Sequence, residues 1–154
     1  MLLASMSAAA VANAQTRVSG PNTVNYRAGV ISSICTMTAT DGELAAASNR
    51  QMISSSSANF TGEWLGNPTP ARITVASNMG PSGFLFASTP VLSGPTSPAT
   101  SQLALSGQAY GGTSTQNLGA DGSISTDLNV RFTSPSGGFT NGTYSATAVI
   151  TCNE

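Results

Sequence analysis

From Ile124 to Phe132 the chain holds to a period of two. Ile124, Thr126, Leu128, Val130 and Phe132 fall on one side, and Ser125, Asp127, Asn129 and Arg131 on the other. Successive side chains of a strand point to opposite faces, so this pattern predicts a strand with one face in a core. The final stretch repeats it. Tyr144, Ala146, Ala148, Ile150 and Cys152 share one face, against Thr143, Ser145, Thr147 and Thr151. Cys152 is thereby in phase with the core face. Pro135-Ser136-Gly137-Gly138 and Asn141-Gly142 are turn signals between the two strands.

A third alternating stretch spans residues 23–34. Val24, Tyr26, Ala28, Val30 and Ile34 lie on one face, and Asn25, Arg27 and Ser33 on the other. Residues 36–40 extend it up to the turn at Thr40-Asp41-Gly42. Shorter strands are predicted at residues 60–65, which hold the one tryptophan, Trp64, and at 71–77, 84–86 and 103–105. Residues 43–52 contain Leu44-Ala45-Ala46-Ala47, which favours a helical turn, with strand or loop as the alternative. Residues 54–58, 94–100 and 111–122 read as loops, the last ending in the hairpin-type pair Asp121-Gly122. Seven or eight short strands divided by turn signals predict an all-β fold, an antiparallel β-sandwich. Ile124, Leu128, Val130, Phe132, Tyr144 and Ile150 are its expected core residues.

The first residues read MLLASMSAAAVANAQ, a small apolar stretch closing on Ala12-Asn13-Ala14. That A-x-A pattern predicts a cleaved signal peptide over residues 1–14. Residues 15–22 then form an N-terminal extension and residues 23–154 a single domain, long enough for a core of its own. Export makes the two cysteines meaningful. Cys35 and Cys152 are the only pair, and an even count in an oxidising compartment predicts one disulfide between them. The expected location is extracellular or at the cell surface.

Charged residues are 7% of the chain, and the basic ones are five scattered arginines with no lysine. No basic stripe follows a phosphate backbone, which argues against a nucleic-acid partner. After the leader no apolar run reaches the length of a membrane span. The absence of histidine removes Ser-His-Asp and Cys-His catalysis and His-based metal sites. Without lysine there is no Schiff-base chemistry. Asp41 and Glu43 flank Gly42 and read as solvated turn acids rather than a glycosidase pair. The run from Asp121 to Asp127 has oxygen side chains at alternate positions but lacks the closing Glu of a calcium loop. It reads as a turn entering a strand. No catalytic residue, metal or cofactor is expected.

The stretch Thr23-Val24-Asn25-Tyr26-Arg27, followed by Val30-Ile31 and Cys35, resembles the start of mature chaperone–usher pilins. Gly142-Thr143-Tyr144-Ser145-Ala146-Thr147-Ala148-Val149-Ile150 is similar to the closing strand of spore-coat-U-like subunits. The resemblance implies a fimbrial subunit with an incomplete immunoglobulin-like sandwich. A neighbour's N-terminal extension would fill the gap as a donor strand, by main-chain pairing and alternate side-chain plugs. Here Val18, Gly20 and Val24 would be the donor positions. The implied partners are copies of the chain or related subunits, with a periplasmic chaperone and an outer-membrane usher. The family's cysteine pairing is short in sequence, whereas Cys35 can meet only Cys152. The alternative is a self-contained extracellular carbohydrate-binding module, with Trp64 and Tyr110 as its stacking residues.

Overall fold

The computed structural model describes residues 15–18, 24–27 and 33–154. The chain divides into two units, Met1–Ser33 and Ile34–Glu154. In the first, β1 (Gln15–Val18) and β2 (Val24–Arg27) pair antiparallel as a two-stranded sheet. Their register sets Val18 opposite Val24 and Gln15 opposite Arg27. The leader, Gly20 and residues 28–32 lie outside the described residues. The predicted strand over residues 23–34 is met at Val24–Arg27 and does not include Ser33 or Ile34.

The second unit is all-β and antiparallel throughout. Its strands are β3 (Cys35–Thr40), β4 (Ala45–Ala47), β5 (Met52–Ser54), β6 (Trp64–Leu65), β7 (Ala71–Ser77) and β8 (Phe84–Ala87). There follow β9 (Val91–Ser93), β10 (Thr100–Leu105), β11 (Ser114–Asn117), β12 (Ser123–Thr133), β13 (Ser145–Thr147) and β14 (Ile150–Asn153). The only helical pieces among the described residues are single 3-10 turns at Ser57–Asn59 and Gly80–Ser82.

The cleanest alternation in the sequence, β12, becomes the spine of the larger sheet. Its first half pairs with β7 and its last residues with β5, while β10 takes the opposite edge over Leu128 to Thr133. The sheet runs β3-β7-β12-β5-β4-β6. The smaller sheet is β11-β8-β14, and β9 pairs with β13 beside it. Between the pairs Ala87–Ile150 and Val91–Thr147, three residues face two. Pro90 is among the three and has no N–H to give, so the ladder breaks there as a bulge. The Ser88 backbone N–H and hydroxyl both donate to the Val149 carbonyl, at 3.0 and 3.3 Å, and hold it closed.

The inner faces of the two sheets meet in one apolar cluster. Ile73, Leu103, Leu105 and Phe132 come from the larger sheet, Leu85 and Ala87 from the smaller, and all are essentially inaccessible. Of the expected core residues, Leu128, Val130 and Phe132 are buried. Ile124, Tyr144 and Ile150 pack against the cluster but are only half-buried. For Tyr144 and Ile150 the reason is a groove, described below.

The stretch over residues 43–52 forms β4, a turn and the start of β5, not a helix. Ala45 and Ala47 are buried two residues apart, and the paired edges of β5 and β6 outweigh a local helical preference. Residues 111–122 hold a strand, β11, where a loop is predicted. Its inward positions are polar: the Ser114 hydroxyl accepts from Leu105 N–H at 3.2 Å, and Gln116 Oε1 accepts from the Thr126 hydroxyl at 2.7 Å. Asp121-Gly122 leads into β12, but β11 and β12 belong to different sheets, so this turn crosses between layers and closes no hairpin.

Candidate functional site

The two predicted cysteines meet. A Cys35–Cys152 disulfide joins the first residue of β3 to β14, with Cα atoms 6.5 Å apart across 117 positions of sequence. That separation lies in the usual range for a cystine. Cys35 pairs in register with β7, and Cys152 with β8, so the bond ties one sheet to the other.

From the bridge toward Thr40 the two layers part. Cys35, Met37 and Ala39 share the inward face of β3. The first two pack against the core, while Ala39 is exposed. On the last strand Tyr144, Ala146, Ala148, Ile150 and Cys152 all turn inward, and every one stays half-buried. The predicted phase of this strand is right in full, and what is missing is cover. Between the two lies a groove of about 760 Å³. Ala39 and Thr40 line one side and residues 144–148 with Ile150 the other, and the buried Ile73, Leu128 and Val130 of the larger sheet form the floor between them.

Both strands beside the groove have an edge without a partner. Among the described residues β3 pairs only with β7, β13 only with β9, and β14 only with β8. Such edges present rows of N–H and C=O groups that can accept another strand.

The end of the groove away from the bridge is held by local chemistry. Glu43 and Thr69 exchange backbone hydrogen bonds at 2.9 and 3.0 Å, which pins the turn carrying Asp41 and Glu43. Gly42 lies so close to the backbone of Thr69 and Ala71 that a Cβ would collide with it. The Tyr144 hydroxyl donates to the Thr140 carbonyl at 2.9 Å, and its ring meets Phe139 edge to face at 5.5 Å. Asp41 and Glu43 are exposed on the groove's rim, and among the described residues no arginine lines it. Sequence reasoning treats them as solvated turn acids, and their place on the rim is visible only in three dimensions. Ala39, Ala146 and Ala148 carry no chemical signal at all. The phase of the last strand is a clue to Ala146 and Ala148, and nothing in the sequence marks Ala39.

The other candidates fall apart in space. Asp127 pairs with Arg72 at 3.0 Å. The Asp121 carboxylate accepts from the Ser123 backbone at 3.0 Å and from its hydroxyl at 2.8 Å, which holds its pKa below the ordinary carboxylate value. The two acids of the calcium-like run are thus engaged separately, as a turn and a strand. Trp64 is half-buried and stands edge-on to Phe60 at 5.6 Å, with its indole N–H shielded from solvent. Tyr110 has the Arg131 guanidinium over its ring at 4.3 Å, so that face is occupied. Among the described residues no helix is long and apolar enough to cross a membrane.

Comparison with known protein families, with curated proteins and with solved structures gave no match for this chain.

Proposed function

We propose that this protein is an exported structural subunit of a pilus, fimbria or surface coat, and that copies of it join by β-strand addition. In this reading the second unit is an immunoglobulin-like sandwich short of one strand. The observation that carries the proposal is the groove between two strand edges that have no partner among the described residues, lined by inward residues of β3 and of the last strand. An apolar inner face left open between free edges costs hydrophobic burial and invites association. One inserted strand answers both needs, with main-chain pairing on each side and alternate side chains directed at the groove. The N-terminal extension of another copy is the occupant, with Val18, Gly20 and Val24 directed inward. The disulfide supports export, since such bonds persist in oxidising compartments. A periplasmic chaperone and an outer-membrane usher would hold the groove of an unassembled copy.

Val18→Asp forces a carboxylate toward an apolar groove. It is expected to leave the monomer folded, with an unchanged far-UV spectrum, and to abolish polymers on a sizing column. Deletion of residues 15–22 should do the same. Polymers formed as readily by both variants as by the unaltered protein would refute the proposal.

A further inference from the structure

The groove is not symmetric along its length. At one end the Cys35–Cys152 bridge links its two edges covalently. At the other it opens beside Asp41 and Glu43, which are exposed and, among the described residues, have no arginine beside them in its lining. The Arg72–Asp127 ion pair uses neither.

An inserted extension has a free end and an end tethered to its own domain. The bridge blocks passage at the closed end, so the tethered end must leave through the open one. Val18 then lies toward the bridge and Val24 toward Tyr144. From Val18 to Val24 is six steps, about 20 Å of extended chain, and so is Tyr144 to Ile150. The inward periods also agree, at 18, 20, 22 and 24 against 144, 146, 148 and 150. Three residues past Val24 the incoming chain presents Arg27. In the structure the β1–β2 pairing of Val24–Arg27 involves four residue pairs in a two-stranded sheet. A ribbon of that size is marginal by itself, so its opening is a small obstacle to insertion.

We infer that Asp41 and Glu43 are the specificity contact for Arg27 of the incoming copy, and that with the disulfide stop they fix the direction and register of its extension. The inference rests on the strand-addition reading and adds to it a named charge contact. The contact sits on an exposed rim, so it acts on selection and rate more than on the stability of the joined strand.

The test uses full-length oxidised protein, with assembly followed by light scattering at low ionic strength. Arg27→Glu is expected to slow assembly by about five- to tenfold, the scale of an exposed attraction turned into repulsion. Asp41→Arg with Glu43→Arg should slow it similarly. All three changes in one chain should return the rate to within about twofold of the unaltered protein, since the charges again complement. Unchanged far-UV spectra and melting points guard against misfolding. If Arg27→Glu assembles at the original rate while Val18→Asp remains blocked, the charge contact is refuted and strand addition stands. If the single and paired reversals each slow assembly and their combination does not recover, the contact is likewise refuted. If Val18→Asp also assembles normally, both fall together.

Discussion

Gly122 has φ of +75°, and a Cβ there would strike the carbonyl of Ser77, which lies against it because Ser77 N–H donates to the Gly122 carbonyl at 3.0 Å. Glycine is required twice over, by conformation and by space. Gly122→Ala should lower stability by about 1–3 kcal/mol in a denaturant melt, whereas Gly107→Ala, with open space around it and the same positive φ, should cost less. The neighbouring Asp121 carries a pH dependence whose sign is fixed. Hydrogen bonds from Ser123, the side chain foremost, hold its folded pKa below the ordinary value. Its contribution is therefore complete above the unfolded pKa, about 3.9, and is lost as pH falls through the lower folded value. Ser123→Ala should raise the Asp121 pKa toward that ordinary value in an NMR titration and flatten this part of the acid limb. An Asp121 titration unmoved by the substitution would show that the turn does not act this way.

At the scale of elements, the disulfide and the last strand decide how the two sheets are held. The bridge closes a loop of 117 positions. In the chain-entropy picture that removes up to about 5 kcal/mol of denatured-state freedom. Reduction, or Cys35→Ala with Cys152→Ala, should lower the denaturant midpoint by a corresponding amount with little change in far-UV signal. A midpoint indifferent to reductant would mean the two sheets are held by the apolar cluster alone. Both cysteines, and the inward phase of Cys152, were legible in the sequence. So were β7 and β12, because one face of each enters the core and the pleat records it as alternation. β11 was not legible, since its inward residues are Ser114 and Gln116, satisfied by hydrogen bonds that have no periodic hydrophobic trace. β4 was obscured because three alanines in a row read equally well as helix, and only its pairing with β5 and β6 resolves them. The groove was legible on one side, in the last strand. It was invisible on the other, where Met37 is half-buried and Ala39, in the same phase, is exposed.

At the scale of the whole molecule, two strand edges with no partner among the described residues flank an inner face left open between them. A fold that spends its polar surface on Ser, Thr and Asn, with few charges and no lysine, has little to repel a partner strand from those edges. The prediction is directional: the groove is occupied in the assembled state and empty when residues 15–22 are removed. Hydrogen exchange of the backbone amides reads this directly: along β3 and residues 144–150 the amides alternate between the edge paired with β7, β9 or β8 and the free edge, and those on the free edge gain partners only if a strand enters. Assembled full-length protein, isolated as polymer, is predicted to protect those amides by at least about tenfold over the protein lacking residues 15–22, with the β12 amides unchanged in both. Equal exchange at residues 144–150 in the two proteins would contradict strand addition and leave this face open for some other use.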